Sequence, residues 1–214
     1  MTGAARAELP ALVLATRNEH KLREFARLLV DPASGAALRV LALAPDIALP
    51  PEDGETFAEN ALGKARAAAA GTGSVSIADD SGIAAAALGG APGVRSARYA
   101  GEHASDAENL ARLLREAPAG SALEYICALA YVDPASGREL VFEGRCAGRL
   151  AERPRGERGF GYDPAFVPDE GPTPPSWRGP RLTMAELDDE QKDAISHRGR
   201  AARALLAWLA DPSS

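Results

Sequence analysis

Two long β-type segments, residues 123–132 and 139–150, constrain the fold more than any other feature of the sequence. The six residues between them, DPASGR, include Asp, Pro and Gly, which supply the backbone angles of a tight turn. The two segments are therefore predicted to pair as an antiparallel hairpin. This hairpin is either a solvent-exposed ribbon or the central pair of a larger sheet.

The first half of the chain alternates short β-type runs with helical patterns. The runs occupy residues 11–15, 38–43 and 75–78. Apolar residues at helical spacing follow the first run, and a Thr-x-x-Glu capping box opens an alanine-rich helix over residues 56–71. Such alternation is typical of parallel βα units, and with the hairpin it predicts an α/β fold in which helices flank a mixed central β-sheet.

Two more helices are predicted in the second half. A capping box formed by Ser105 and Glu108 opens a helix that ends near residue 116. The final helix is indicated by apolar side chains at i, i+4, i+7 and i+8, which are Ala201, Leu205, Trp208 and Leu209.

The chain of 214 residues is long enough for one domain with a sizeable core. We expect a single domain over residues 11–211, preceded by a flexible N-terminus at residues 1–10. Residues 168–182 contain five prolines and are expected to form an irregular loop inside that domain.

Composition excludes several classes of function. The formal net charge is -6 and no block of Lys or Arg interrupts it, so no nucleic-acid polymer is expected as partner, although a few local cations suffice for a nucleotide. The absence of a long apolar run predicts a cytoplasmic chain with no membrane association. Cys127 and Cys146 have no metal-ligand spacing and are expected to be reduced packing residues, and the three scattered histidines do not indicate structural zinc.

Four polar clusters lie where predicted strands give way to loops, the position at which open α/β sheets bind ligands. Backbone N–H groups and a lysine in the first cluster are suited to hold phosphates at a helix N-terminus. The alternative is an ordinary capped helix start with a solvated lysine, because the pattern is not a G-x₄-GK[ST] phosphate loop. The cluster consists of Thr16, Arg17, Asn18, Glu19, His20 and Lys21.

Two adjacent carboxylates, Asp79 and Asp80, follow the strand predicted over residues 75–78. Like charges at the edge of a core cost free energy unless a cation or a donor compensates them. The second cluster, residues 52–61 (EDGETFAENA), begins with Glu52. If the fold brings Glu52 near both aspartates, three carboxylates would form an oxygen-rich site suited to Mg²⁺. The alternative is a turn after the strand, in which Asp80 and Ser81 bond locally to the backbone.

The third cluster, residues 156–166 (GERGFGYDPAF), places Phe160, Tyr162 and Asp163 among glycines. An aromatic side chain in such a loop either stacks on a base or anchors the loop in the core. The fourth cluster, residues 190–201 (EQKDAISHRGRA), is basic and lies around the start of the last helix, where basic residues are common on ordinary surfaces. Its candidate site residues are Lys192, His197 and Arg198.

In this order, the motifs TxNxxK, ExGxTFxENAxxKA, ADDSG, LGGAPGxxSARYAG, FGYDPxF and AELDDEQKDAISHRGRA closely resemble those of the HAM1-like inosine/xanthosine triphosphate pyrophosphatase family, over residues 12–209. The resemblance implies an ITPase-like (Maf/HAM1) fold with a cleft between two lobes. It also implies a homodimeric, Mg²⁺-dependent enzyme that hydrolyses noncanonical purine nucleoside triphosphates (ITP, dITP, XTP, dXTP) to the monophosphate and pyrophosphate.

The resemblance also assigns roles by motif. Asp80 would be the proton acceptor and a Mg²⁺ ligand, and Glu52 would be the other metal ligand. Lys21 would be the principal cation for the triphosphate, and Lys192 would reach phosphate. The remaining substrate-binding residues implied are Thr16, Arg17, Asn18, Glu19, His20, Ser81, Phe160, Gly161, Tyr162, Asp163, His197 and Arg198, the last two facing the base.

The sequence departs from the family pattern at two places, and two alternative interpretations of its function remain. Arg17 stands where many relatives have glycine and either contacts phosphate or points to solvent, and the loop over residues 171–182 is longer than usual. Maf-like nucleotide pyrophosphatases are the rival with the same chemistry, and the ISHRG and FGYDP segments disfavour them. A non-catalytic nucleotide sensor is expected to have lost a carboxylate or a lysine, whereas those named above are all present.

Overall fold

A computed structural model describes residues 11–30, 35, 37–172, 179 and 181–211. The N-terminus predicted to be flexible, residues 1–10, lies outside the described residues. So do residues 173–178 and 180 of the predicted proline-rich loop.

Six strands form one mixed sheet: β1 Leu12–Leu14, β2 Val40–Ala42, β3 Ser76–Ala85, β4 Ala122–Asp133, β5 Arg138–Leu150 and β6 Phe166–Pro168. Their order across the sheet is β2-β1-β3-β4-β5-β6. β1 pairs in parallel with β2 and β3, while the pairs β3–β4, β4–β5 and β5–β6 are antiparallel. The predicted mixed sheet is confirmed.

Within the described residues, five α-helices accompany the sheet: α1 Glu19–Leu28, α2 Phe57–Thr72, α3 Asp106–Glu116, α4 Asp189–Ile195 and α5 His197–Leu209. Both predicted capping boxes form, because Thr56 and Ser105 accept backbone N–H groups at the starts of α2 and α3. α2 runs past its predicted end at Gly71 and is capped by Gly73 in the left-handed conformation, φ 64°.

Alternate side chains of the parallel strands point to opposite faces of the sheet. Leu12 and Leu14 pack in a cluster with side chains of α1 and α5. Val13 and Ala15 pack in a cluster with buried alanines of α2, whose small side chains permit close approach to the sheet. A further cluster joins α3 to β6 and to the ends of β4 and β5. Helices therefore flank the sheet, as predicted.

The predicted hairpin lies inside the sheet, with β3 on one side and β6 on the other, so the exposed-ribbon alternative is wrong. β4 and β5 pair along their whole lengths, from Ala122 opposite Arg149 to Asp133 opposite Arg138. Asp133 accepts the backbone N–H of Ala135 at 2.9 Å in the connecting turn. The two predicted packing cysteines are buried on these strands.

The strand predicted over residues 75–78 continues to Ala85, so the predicted turn at Asp79 and Asp80 is wrong. Asp79 lies opposite Leu129 of β4, and Asp80 lies opposite Ala128. The backbone ladder to β4 runs past both carboxylates, and successive side chains point to opposite faces of the sheet. The side chains of the two neighbouring aspartates consequently lie in different environments.

Among the described helices, none combines the length and the apolar character needed to cross a membrane.

Candidate active site

One cavity is lined by side chains from all four predicted clusters. It lies between the N-terminus of α1, the middle of β3 and the N-terminus of α5, and the loop before α2 closes one side of it. The predicted site residues that line it are Asn18, Lys21, Glu52, Asp80, Ser81, Phe160, Gly161, Tyr162, Asp163, His197 and Arg198.

Asp79 is neutralised by the protein's own cations. Its side chain is fully buried, with Oδ1 3.0 Å from Lys21 Nζ and Oδ2 3.2 Å from Arg198 Nε. The Ser81 hydroxyl donates to the same carboxylate at 2.8 Å. Burial alone would raise the pKa of Asp79, but Lys21 and Arg198 hold it far below its ordinary value. Asp79 also does not line the cavity, and the described residues contain no group of three candidate metal ligands, so the hypothesis that Asp79 joins Glu52 and Asp80 in a three-carboxylate metal site is wrong.

A buried network of ion pairs continues from Arg198. Its Nη1 donates to Glu24 Oε2 at 3.0 Å, and Lys192 Nζ lies 3.1 Å from Glu24 Oε1 and 2.8 Å from Asp163 Oδ2. Burial would raise the pKa of Glu24, but Arg198 and Lys192 bring it below its ordinary value. Lys192, for which the resemblance implies contact with phosphate, is thus engaged by two carboxylates and is not among the residues that line the cavity.

Asp80 lies toward α2, on the opposite side of β3 from Asp79. The amide of Asn60 donates to Asp80 Oδ2 at 3.0 Å, and Lys64 Nζ lies 3.6 Å from Oδ1. Lys64 also donates to Glu52 Oε1 at 2.5 Å and to the Asp79 carbonyl at 2.7 Å. Burial raises the pKa of Asp80 above its ordinary value, although Lys64 opposes the shift. A carboxylate whose charged form is disfavoured is suited to accept a proton.

Glu52 and Asp80 are the side chains that fit a divalent cation. Both line the cavity and both lie within 3.6 Å of the Lys64 ammonium, so their oxygens converge on one positively charged point. No cluster of three or more His, Cys, Asp and Glu side chains that could hold a metal occurs within the described ranges. Two carboxylates match Mg²⁺, which typically takes its other ligands from water and substrate phosphates.

The opposite end of the cavity contains a neutral histidine. His197 is buried and stacks on Tyr125, with ring centroids 4.5 Å apart and an interplanar angle of 8°. Burial, with a contribution from Arg198, holds the pKa of His197 well below its ordinary value. Its Nδ1 is buried and finds no hydrogen-bond partner in the part of the chain that the structure describes. This nitrogen is available for one hydrogen bond to a ligand.

The glycine-rich loop before β6 is folded by two carboxylates. Asp163 Oδ2 accepts the backbone N–H of Phe160 at 3.0 Å, and Asp106, in the first turn of α3, accepts that of Gly161 at 2.9 Å. A Cβ at Gly159 would collide with the Asp163 carboxylate, and φ there is +73°. The glycine permits the tight turn that brings Phe160 to the cavity.

The two aromatic residues of this loop, Tyr162 and Phe160, lie in different environments. Tyr162 is the core anchor: it is buried in the cluster around α3, and its hydroxyl donates to the Ser96 carbonyl at 2.7 Å. Phe160 is partly exposed and lines the cavity, with Arg198 Cζ 5.0 Å and Lys192 Nζ 5.2 Å from its ring centroid. Phe160 is therefore the partly exposed aromatic residue of this loop that borders the cavity, and its stacking on a base stays a prediction.

The first cluster forms the capped helix start that was one of its two interpretations. Asn18 accepts the backbone N–H groups of His20 and Lys21 at 2.9 Å and 3.2 Å, and Thr16 accepts that of Asn18 at 3.1 Å. The lysine is paired with a buried carboxylate, so the expectation of a solvated lysine is wrong. The structure does not bring Thr16, Arg17, Glu19 or His20 to the cavity wall.

Arg17 does not line the cavity, and its guanidinium is bound to backbone carbonyls and does not point freely to solvent, while the predicted phosphate contact stays a prediction. Its guanidinium donates to the carbonyl oxygens of Leu43 at 3.0 Å, Ala44 at 3.0 Å and Ile47 at 2.6 Å. It joins the loop after β1 to the loop after β2. No sequence pattern predicts this contact, because all of its acceptors are backbone atoms.

Some residues that shape the site were not among the predicted site residues. Asn60 and Lys64 belong to the ENAxxK motif and lie on one face of α2 at i, i+4 spacing, which is a signal the sequence does carry. Glu24 follows Lys21 by three residues and so lies on the same side of α1. Tyr125 lies on a predicted strand among apolar residues and carries no such signal.

Comparisons with known proteins identify the family of the chain. A sequence profile described as the Ham1 family matches residues 12–208. The chain belongs to the Ham1 family. A protein of Corynebacterium efficiens named dITP/XTP pyrophosphatase is 46% identical over 208 residues, which cover 94% of this chain and 97% of that protein. A protein of the same name from Symbiobacterium thermophilum is 48% identical over 202 residues, covering 92% and 94% of the two chains.

Solved structures of Ham1-family proteins have the same fold. A HAM1 protein from Coxiella burnetii superimposes with a TM-score of 0.77 at 38% identity, covering 94% of this chain and 98% of that one. A nucleoside-triphosphatase / dITP/XTP pyrophosphatase from Mycobacterium abscessus superimposes with a TM-score of 0.66 at 44% identity, covering 92% and 98%. The predicted family and the predicted mixed α/β fold are confirmed, and the cleft between two lobes stays a prediction.

Proposed function

We propose that this Ham1-family chain hydrolyses noncanonical purine nucleoside triphosphates (ITP, dITP, XTP and dXTP) to the nucleoside monophosphate and pyrophosphate. One observation carries the proposal: a single cavity is lined by the cations Lys21 and Arg198, the carboxylates Glu52 and Asp80, and the aromatic ring of Phe160. The name dITP/XTP pyrophosphatase borne by relatives at 46% and 48% identity supports the same substrate class.

The triphosphate would lie at the N-terminal end of α1. A helix N-terminus and a lysine side chain both attract phosphate oxygens. Lys21 Nζ is held 3.0 Å from Asp79, yet the side chain is still 16% exposed and lines the cavity. Its ammonium has donors left for a phosphate group, since one ammonium has three N–H bonds.

Asp80 would accept the proton of the attacking water. The Asn60 amide fixes the orientation of the Asp80 carboxylate, and burial favours its protonated form. As the water oxygen bonds to phosphorus at the α–β anhydride, its proton passes to Asp80 and the P–O bond to pyrophosphate breaks. Lys21, which lines the cavity, would offset part of the negative charge that remains on the phosphates.

Mg²⁺ is the divalent cation proposed for the cavity, with Glu52 and Asp80 as the residues that would hold it. When bound, such an ion would stabilise negative charge on the departing pyrophosphate. The position of both carboxylates in the wall of the cavity supports this assignment, and two carboxylates match the ligand number that Mg²⁺ typically takes from a protein. Activity that disappears with EDTA and returns with Mg²⁺ is the expected result.

His197 and Arg198 would recognise the purine. Hypoxanthine and xanthine present the acceptor O6 where adenine presents an amino donor. A neutral His197 with a proton on Nδ1 would donate to O6, and adenine would leave that buried donor without a partner. His197 lines the cavity and its buried Nδ1 has no hydrogen-bond partner among the described residues, which supports this role. Guanine also presents O6, so GTP is the most informative competitor.

The other predictions tied to the family are proposals too. We expect one domain over residues 11–211 that assembles as a homodimer, with twice the monomer mass of 22.2 kDa in light scattering. A monomer at working concentrations would contradict the assembly. The cytoplasmic location predicted from the sequence stays a prediction.

A substrate panel with pyrophosphate detection tests the proposed function. Wild type and Asp80→Asn would be supplied with ITP, dITP, XTP, GTP and ATP in the presence of Mg²⁺. We expect rapid pyrophosphate release from the first three with wild type and none with the variant, whose folding is checked by thermal unfolding. Equal rates with all five would refute the selectivity, and preference for modified pyrimidine nucleotides would favour the Maf-like rival.

A further inference from the structure

The LGGAPGVRSARYAG motif has no role in the chemistry described above, yet one part of it contacts several walls of the cavity. Its 3₁₀ segment Gly93–Arg98 packs beside β3. Ser96 Oγ accepts the backbone N–H of Ile83 at 2.9 Å and donates to the Gly93 carbonyl at 2.6 Å. The Ser96 carbonyl accepts the hydroxyl of Tyr162. The segment is therefore fixed to the strand that carries Asp80 and to the aromatic loop.

Arg98 extends from this segment to the backbone of Glu52. Its Nη2 donates to the Glu52 carbonyl oxygen at 2.6 Å in a partly buried position. Glu52 lies in the connection between β2 and α2, which contains no helix or strand around it. Without a ladder of backbone bonds, the position of Glu52 depends on individual contacts. A hydrogen bond from a charged donor is among the stronger contacts available for this purpose.

The side chain of Glu52 is held separately, by Lys64 at 2.5 Å. A salt bridge fixes the position of a carboxylate only as well as its own backbone is fixed. The contact from Arg98 supplies the missing backbone constraint, and Asn60 adds a second one when its Oδ1 accepts the N–H of Gly54 at 2.8 Å. The backbone around Glu52 is thus positioned by the side chains of Arg98 and Asn60, which belong to the 3₁₀ segment beside β3 and to α2.

We infer that Arg98 is a positioning residue, which holds the Glu52 backbone so that the Glu52 carboxylate faces Asp80 across the Lys64 ammonium. The inference rests on the proposed function for its consequence in catalysis, because Glu52 is there the proposed metal ligand. The structural part of this inference, that Arg98 holds residues 52–54 in place, does not depend on any reaction.

Arg95 provides a matched control from the same 3₁₀ segment. It is exposed, it lines a separate groove on the other side of the segment, and within the described ranges its guanidinium makes no hydrogen bond or ion pair. Arg95→Met removes the same charge from the same turn and leaves the Glu52 carbonyl untouched. Arg98→Met removes the contact, and Arg98→Lys keeps the charge on a side chain that can still reach a carbonyl.

Amide hydrogen exchange of metal-free, nucleotide-free protein is the first measurement. We expect the Gly54 amide and its neighbours to exchange at least about fivefold faster in Arg98→Met than in wild type, with Arg95→Met unchanged. The second measurement is pyrophosphate release against Mg²⁺ concentration. Arg98→Met should need roughly tenfold more Mg²⁺ for half-maximal rate, as expected on loss of one charged hydrogen bond. The KM for ITP at saturating Mg²⁺ should change less than about twofold, because Arg98 is placed to contact Glu52 and not the nucleotide.

Three outcomes would overturn the inference. The first is unchanged exchange at Gly54 in Arg98→Met. The second is an equal Mg²⁺ shift in Arg95→Met, which would indicate a general charge effect. The third applies if Arg98→Met does not fold: Arg98→Lys would then have to restore both measurements toward wild type, and a folded Arg98→Lys protein with no restoration contradicts a role in hydrogen bonding. If wild type releases no pyrophosphate at all, the proposed function fails, while the exchange measurement still decides the role of Arg98.

Discussion

The neighbouring residues Asp79 and Asp80 should respond in opposite ways to the same substitution. Asp79→Asn removes a charge that Lys21 and Arg198 surround, and the low pKa of Asp79 means that folding favours its charged form. Asp80→Asn removes a charge that burial disfavours, since the pKa of Asp80 is raised. We therefore expect Asp79→Asn to destabilise the protein and Asp80→Asn to leave stability unchanged or increase it.

The magnitude for Asp79→Asn follows from its two ion pairs. At the observed separations of 3.0 Å and 3.2 Å, each attraction amounts to about 5 kcal/mol with an effective dielectric constant of about 20. Most of this offsets the cost of removing the charges from water, and breaking a buried pair typically costs about 3–5 kcal/mol. Arg198 keeps Glu24, and Lys21 is 16% exposed and can turn toward solvent. The loss should therefore be near the lower limit, about 3 kcal/mol.

Urea unfolding at pH 7 with a parallel thermal scan measures this difference. A loss of about 3 kcal/mol in a chain of this size corresponds to a fall of roughly 6–12 °C in Tm. Asp80→Asn is the matched control, because it makes the same chemical change one residue away. Equal destabilisation by the two substitutions, or a loss below about 1 kcal/mol for Asp79→Asn, would refute the electrostatic reasoning.

Three other substitutions test separate parts of the account. The pKa of His197 in the folded protein lies far below 6.5, so the unfolded chain takes up a proton first as pH falls. The free energy of unfolding should therefore drop by about 1 kcal/mol between pH 6.5 and about pH 5.5. In urea titrations, His197→Phe should remove this part of the pH dependence. Gly144→Ala should cost about 2–3 kcal/mol and lower activity, because a Cβ there would lie 2.6 Å from the Ala201 amide and closer still to the His197 carbonyl, so α5 must move; a fully active variant of unchanged Tm would contradict this. Arg17→Gly should lower the free energy of unfolding by about 1 kcal/mol in urea without abolishing turnover, because the Arg17 guanidinium binds only backbone carbonyls. Weaker binding of the triphosphate in this variant would instead indicate that Arg17 contacts phosphate.

Local sequence patterns predicted the fold well where local chemistry decides it. Capping boxes at Thr56 and Ser105 mark the starts of α2 and α3, and the DPASGR turn marks the β4–β5 hairpin. The error at Asp79 has a non-local cause. A local pattern ends a strand at paired carboxylates, but the ladder to β4 and the cations from α1 and α5 compensate both the backbone and the charge.

The site was predictable as a set of residues and not as a set of contacts. The motifs identified most residues of the cavity wall, including Lys21, Asp80 and Arg198. The sequence could not reveal which cation pairs with which carboxylate, because those partners come from distant segments; Arg198 and Glu24 are one example. It also could not reveal contacts made through backbone carbonyls, as those of Arg17 and Arg98 are.

A crystal structure of Asp80→Asn with ITP and Mg²⁺ tests the central claim most directly, since the substitution should stop turnover without disturbing the cavity. We expect the triphosphate at Lys21 and the N-terminus of α1, with the purine on Phe160 and its O6 within hydrogen-bond distance of His197 or Arg198. A nucleotide bound outside this cavity, or bound with the purine at Lys21, would contradict it.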